Sequence, residues 1–313
     1  MLTKNIRPFT VIVDNEPVKL TVDMAQDDQM DIALLVLQNL KQWTACATTT
    51  DQQIAESYRP LRLTVRGAAG SGKSFFIKAL ANTIRDIYGD QNVVHISAPT
   101  GAAAHNVGGE TIHRKFAINP HKTDKEMSKK EKMRLLRSKR RALVEIIDER
   151  SMLTCNVVGA AEKHAAETTH GGSHDNEDWG GIPVVIFVGD DYQLPPPTNK
   201  EKGAFDLLDS RTSFSQRSFG SGSFGCRVMW DMSETCVELR TTKRQNKNQT
   251  VFKRMLENLR IGEPTHADAT ELMKLHLSNL SPADQQEGEK CSFTPTRTRN
   301  REIPEQISEK LTF

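Results

Sequence analysis

Lys73 and Ser74 end the octapeptide Gly67-Ala68-Ala69-Gly70-Ser71-Gly72-Lys73-Ser74, which has the spacing G-x-x-x-x-G-K-[ST]. That spacing marks a phosphate-binding loop when an apolar strand precedes it and a helix follows. Both flanks agree: Leu61-Arg62-Leu63-Thr64-Val65 comes before, and Phe75 to Leu80 has a helical pattern after. Glycines let consecutive backbone N–H groups turn toward one anion, because no Cβ obstructs the turn. In this reading Lys73 reaches the β- and γ-phosphates of a nucleotide, and the Ser74 hydroxyl holds Mg²⁺. A plain glycine turn is the alternative, and it leaves the Lys-Ser pair and the flanks without a reason.

Asp148 and Glu149 follow the apolar run Leu143-Val144-Glu145-Ile146-Ile147. At a strand end, Asp148 can hold Mg²⁺ while Glu149 orients and deprotonates an attacking water. In isolation an Asp-Glu pair is more often a solvated strand end, and the phosphate loop changes that balance. Gln193 follows another apolar run, Val184 to Val188, and its amide can sense a γ-phosphate. The prolines after Leu194 stiffen the backbone behind it. Arg244, in Leu239-Arg240-Thr241-Thr242-Lys243-Arg244-Gln245, can stabilise charge at that phosphate, although a lone arginine in a basic loop is usually solvated.

Other groups suit nucleic acid. Thr100, Gly101 and His113 offer free N–H groups, a hydroxyl and an imidazole, which can bond phosphates and stack a base without reading sequence. For His113, packing at a helix start is an equal alternative. The Lys- and Arg-dense stretch from Lys122 to Arg141 can track a DNA backbone or form a solvated helix face. His164, His170 and His174, with Asp175 and Glu177 nearby, raise zinc as an option, but their spacing matches no tight ligand pattern.

The elements that must position these groups read as an α/β chain. Alternation at Phe9, Val11, Val13 and again at Val18, Leu20, Val22 predicts a small hairpin. Ile32, Leu35, Val36, Leu40 and Trp43 fall at helical spacing from Gln29, and Thr44 to Gln53 reads as a loop. Strands are expected at Leu61–Val65, Val93–Ser97, Leu143–Ile147 and Val184–Val188. Strands alternating with helices imply a parallel sheet covered on both faces, with ligands at the strands' carboxyl ends. His164 to Gly181 reads as a loop and Ser210 to Gly225 as a mobile insertion. Phe252, Met255, Leu256 and Leu259 make a further amphipathic helix ending at Gly262.

Over 313 residues the chain has 37% hydrophobic and 26% charged residues and a net charge of +2, so bulk charge does not announce nucleic acid. The five cysteines are odd in number and widely spaced, which suits free thiols in a reducing compartment. No run is long enough for a membrane span, and there is no signal-peptide core. A soluble intracellular protein without membrane partners is expected.

Taken together and in order, GAAGSGKS, APTGAAAHNVGGETIH, IIDERSML, FVGDDYQLPP and LRTTKRQ resemble the Pif-type (petite integration frequency) DNA helicases, of the RecD-like branch of helicase superfamily one. The resemblance runs from about Leu61 to Gly262. It implies a RecA-like P-loop NTPase domain, with ATP and Mg²⁺ as cofactors. It also implies 5′-to-3′ movement on single-stranded DNA or a single-strand/duplex junction, in repair, recombination or telomere maintenance. The location would be the nucleus or mitochondrion in a eukaryote. Carried over by residue, Gly67–Ser74 would bind phosphate, Ser74 and Asp148 metal, Glu149 water, and Gln193 the γ-phosphate. Arg244 would be an arginine finger, Gln29 the adenine-reading glutamine, and Thr100, Gly101 and His113 the DNA contacts.

Two motifs depart from the family pattern. Arg150 stands where an apolar residue commonly precedes Ser-Met, and Asp191-Tyr192 replaces the usual aromatic pair before Gln193. The domains expected are an extension over 1–55, a first RecA-like domain over 56–265, and the beginning of a second over 266–313. Cys291 to Thr296 resembles that second opening, and the later motifs of a C-terminal motor domain do not follow it. A non-catalytic module that binds nucleotide and DNA, and another phosphate-loop enzyme such as a small-molecule kinase, remain as alternatives. Oligomeric state is not legible.

Overall fold

The structure, a computed structural model, describes residues 9–13, 16–20, 27–49, 58–172, 177–196, 221–232, 235–240, 249–274 and 281–282. The chain divides into two compact units, Met1–Lys247 and Asn248–Phe313.

The first unit opens with the expected hairpin. Strand β1 (Phe9–Val13) pairs antiparallel with β2 (Glu16–Leu20), Phe9 opposite Leu20. Helix α1 (Asp27–Thr48) follows, and then β3 (Leu61–Gly67), α2 (Lys73–Tyr88) and β4 (Val94–Ala98). Next come α3 (Gly101–Val107), β5 (Glu110–Thr111), the single turn α4 (Ile112–Lys115) and α5 (Lys129–Ser138). The unit is completed by β6 (Val144–Ile147), α6 (Cys155–Thr168), β7 (Val184–Gly189), α7 (Ser221–Met232) and β8 (Cys236–Leu239).

Six strands form one parallel sheet in the order β5-β4-β6-β7-β3-β8. The continuous apolar run of β7 shows why both faces are covered, because successive side chains point to opposite sides. Val184, Ile186 and Val188 join one core with Ile32, Val36 and Leu40 of α1 and with Phe76, Ile77 and Leu80 of α2. Val185 and Phe187 join the other, with Phe116, Val158, Trp179 and Met229. Each such fully buried side chain contributes about 1.5–3 kcal/mol relative to exposure.

The structure corrects several boundaries. Thr44 to Thr48 continue α1 rather than starting a loop. The Thr44 and Thr48 hydroxyls donate back to Leu40 O and Thr44 O, each at 2.9 Å, so these polar side chains satisfy themselves on the helix. His164 lies inside α6 rather than in a loop, and Trp179, further along the same polar stretch, is buried. Gly225 of α7 packs directly on α6, since a Cβ there would collide with Cys155 O. Residues 221–225 are therefore helical, while the rest of the expected insertion, 210–220, lies outside the described residues.

The second unit holds α8 (Thr250–Ile261), which ends at Gly262 as its spacing predicts, and α9 (His266–Lys274). Asp268 accepts hydrogen bonds from Thr265 N, at 2.9 Å, and from Asn258 Nδ2, at 2.7 Å, tying the start of α9 to α8. No described helix is long and apolar enough to cross a membrane.

Candidate nucleotide site

The phosphate loop leaves β3 at Gly67 and enters α2 at Lys73. Gly70 and Gly72 hold φ of +86° and +85°, the left-handed region that side-chain-bearing residues avoid. Phe76 N donates to Gly72 O at 2.9 Å, so the helix starts directly at the loop and its N-terminal end faces the loop interior. The Lys73 ammonium donates to Gly67 O at 2.7 Å and to Ala68 O at 3.2 Å, which holds it across its own loop. Ser71 Oγ is buried with no hydrogen-bond partner among the described residues, and Ser74 is exposed on the first turn of α2.

Asp148 follows β6, and its N–H donates to Ser97 O at 2.8 Å, extending the register toward β4. Burial pushes its carboxyl up to about 6. The Glu149 charge adds to that rise, while the Glu149 N–H and the Lys73 charge oppose it. Asp148 Oδ1 is buried without a hydrogen-bond partner among the described residues. A divalent cation would supply what this oxygen lacks, and a carboxylate and a serine hydroxyl are oxygen donors of the kind Mg²⁺ takes. Glu149 occupies φ +53°, ψ +49°, a left-handed conformation that costs about 1–2 kcal/mol for such a residue. Strain of this kind at the acidic pair is a signal no motif reading supplies.

Gln193 N donates to Asp190 O at 3.1 Å, and Asp190 Oδ1 accepts Tyr192 N at 3.2 Å, so a compact turn carries Gln193 beyond β7. Gln29 is brought to the loop as well. It is 4% exposed, and its Nε2 lies 3.4 Å from both Ser71 O and Gly72 O. Arg240 N donates to Asp28 Oδ2 at 3.0 Å, which ties the start of α1 to the end of β8.

Behind the site runs a chain of ionic contacts absent from the motif reading. Asp191 Oδ1 accepts Arg150 Nε at 2.7 Å, and Asp191 Oδ2 pairs with Arg66 Nε at 2.8 Å. Arg150 Nη1 donates to Thr64 Oγ1 at 3.2 Å, and Thr64 Oγ1 donates to Met232 O at 2.7 Å.

Thr100 caps α3, its Oγ1 accepting Ala103 N at 3.2 Å, and Gly101 is exposed beside it. Thr100 and His113 line one cavity of about 360 Å³ with Pro99, Ile112, Met152 and Thr154. Burial lowers the His113 pKa, which favours the neutral ring. Much of the basic stretch is committed within the chain. Lys139 pairs with Glu145 at 2.7 Å and Arg141 with Asp90 at 3.1 Å, while Lys132 lies 3.4 Å from Glu167.

Of the histidine cluster, His164 is engaged elsewhere. His164 is buried in α6, its Nδ1 2.7 Å from Phe116 O. No group of three or more His, Cys, Asp or Glu side chains that could hold a metal ion occurs among the described residues. His174 and Asp175 lie outside the described residues, as do Arg244 and the segment from Cys291.

Comparison with known proteins agrees with this fold. The family model described as PIF1-like helicase matches residues 39–270. The ATP-dependent DNA helicase PIF1 of Saccharomyces cerevisiae is 36% identical over 149 residues, covering 45% of this chain and 16% of the yeast protein. The crystal structure of Pif1 helicase from Candida albicans matches with a TM-score of 0.58 at 23% identity, covering 80% of this chain and 47% of that one. Pif1 helicase from Bacteroides in complex with ADP-AlF3 and ssDNA matches with a TM-score of 0.53 at 26% identity, covering 80% and 49%. The chain spans about half of these solved chains and a smaller share of the yeast protein. The parallel sheet with its phosphate loop is an α/β P-loop NTPase fold of the RecA-like kind. With the match extending over most of its length, the chain belongs to the PIF1-like helicase family.

Proposed function

We propose that this chain carries the first ATPase domain, residues 56–265, of an ATP-dependent DNA helicase that moves 5′-to-3′ on single-stranded DNA. The observation that supports it most is geometric: the phosphate loop leaves the carboxyl end of β3 and the acidic pair follows the carboxyl end of β6, two strands of one parallel sheet. Gly67–Ser74 would cradle the phosphates with backbone N–H groups, and Lys73 would leave its loop carbonyls for phosphate oxygens. Mg²⁺, when bound, would neutralise phosphate charge between Ser74 and Asp148. Glu149 would orient a water and take its proton, with the Gln193 amide marking the γ-phosphate. Arg244 would neutralise developing charge there.

DNA would run along Thr100, Gly101 and His113, where a hydroxyl, an exposed backbone and an uncharged ring suit phosphate and base contacts without sequence readout. The Bacteroides relative was solved with ADP-AlF3 and ssDNA, and that supports both ligands here.

The test is phosphate release at saturating single-stranded DNA. ATP turnover that rises with DNA and disappears in Glu149→Gln, with nucleotide binding retained, supports the reading. Binding of both ligands without turnover would instead identify a non-catalytic module. Turnover stimulated by a small acceptor and indifferent to DNA would identify a kinase.

A further inference from the structure

Arg150 and Asp191, each in a motif that departs from the family pattern, are bonded to each other. Their side chains are 10% and 7% exposed, and Nε meets Oδ1 at 2.7 Å. The second carboxylate oxygen is taken by Arg66 at 2.8 Å. Each of these residues adjoins a different working segment. Arg66 immediately precedes Gly67, Arg150 immediately follows Glu149, and Asp191 lies two residues before Gln193. One carboxylate therefore joins the root of the phosphate loop, the acidic pair and the γ-phosphate-sensing turn.

The contact is close at the backbone too. A Cβ on Gly189 would come within 2.8 Å of Arg150 Cγ and 2.9 Å of Arg150 N, so the end of β7 presses directly on the residue after Glu149. A largely buried ion pair is a weak source of net stability, because desolvating both ions offsets most of their attraction. It is, however, directional, which an apolar pair at the same place would not be.

We propose that Asp191 is a positioning residue that holds Glu149 and Gln193 in one frame with the phosphate loop through Arg150 and Arg66. The proposal rests on the nucleotide reading above for what the frame serves, but not for the frame itself. Asp191→Asn keeps the shape and removes the charge.

Amide hydrogen exchange on the nucleotide-free chain reads the frame directly. In Asp191→Asn the amides of 149–152 and 190–193 should exchange faster together, by about tenfold, as suits directly bonded groups. Combined with Arg150→Met, the two changes should fall short of additivity. Faster exchange on only one side, or full additivity, overturns the proposal. Should Asp191→Asn not fold, Arg66→Gln releases the other oxygen of the same carboxylate and must speed exchange at 190–193 relative to the parent; unchanged exchange there overturns the proposal equally.

A second readout separates positioning from general weakening. Asp191→Asn should bind ADP within about twofold of the parent and lose about tenfold in affinity for a non-hydrolysable ATP analogue, because only the latter engages Gln193. Equal losses for both contradict positioning. A parent chain that binds neither nucleotide refutes the functional reading and leaves the exchange result to decide the frame.

Discussion

Gln29 and Gly72, 43 residues apart, touch at the phosphate loop: Gln29 Nε2 reaches Gly72 O at 3.4 Å, and a Cβ on Gly72 would come within 2.5 Å of that nitrogen. The glycine is thus required twice, for its positive φ and for the space the glutamine fills. Gly72→Ala should cost about 1–2 kcal/mol of stability from the left-handed backbone alone and displace Gln29. Gln29→Ala should leave stability nearly unchanged and, if the amide reads adenine, lower ATP affinity about tenfold while narrowing the preference over GTP. Equilibrium titration with both nucleotides checks this, and an unchanged ATP-to-GTP ratio removes Gln29 from base recognition.

Local signals carried most of what the sequence disclosed. The phosphate loop, the strand before Asp148 and the strand before Gln193 combine short apolar runs with fixed spacing, and all appear where expected. The approach of Gln29 was harder to read, because only the packing of Ile32, Val36 and Leu40 on the sheet brings α1 to the loop. The helix α6 was partly hidden by its polar, histidine-bearing end, which is in fact buried through the His164 contact with Phe116 O. The Arg150–Asp191 pair was visible only as two separate oddities; nothing local links residues 41 positions apart.

Acid should weaken the first unit through His95. Burial holds its imidazole neutral down to about 2, with the Lys139 and Lys115 charges adding to the effect. The unfolded chain takes up a proton below about 6.5 and the folded chain does not, so stability falls as pH drops from 6.5 toward 2. Between pH 6.5 and 5 the loss from this group is roughly 1.7 kcal/mol. Urea unfolding at the two pH values measures it, and His95→Gln should flatten the difference by that amount. A parent equally stable at both values contradicts the burial of a neutral ring.

Lys139 and Glu145 form an ion pair with both side chains 0% exposed, and Lys139 Nζ stands 3.8 Å from the centre of the Phe116 ring. Lys139→Met strands the Glu145 carboxylate in the core and should cost about 3–5 kcal/mol. Adding Glu145→Leu should recover most of that, because an apolar pair needs no partner. The urea midpoints of the single and double variants decide it; a single variant within about 1 kcal/mol of the parent would mean that Glu145 is not held as a buried charge.

Thr100 and His113 share a cavity but differ in what they do for the fold. Thr100→Ala removes a helix cap and should cost about 1 kcal/mol of stability along with any DNA affinity. His113→Ala, at a half-buried single turn, should weaken oligo-dT binding by about 1–3 kcal/mol if its ring stacks on a base. Fluorescence anisotropy at two salt concentrations separates stacking from charge: the loss should persist at high salt. Equal DNA affinity in His113→Ala and the parent would leave this histidine as a packing residue.

Gly67–Ser74 is expected to hold a nucleotide through Lys73. Titration of a fluorescent ATP analogue with Mg²⁺ into the parent and into Lys73→Ala tests it most directly. Saturable binding by the parent, weakened at least about 100-fold in a folded Lys73→Ala, is the predicted result. Equal binding by the two proteins, or none by a folded parent, would contradict it.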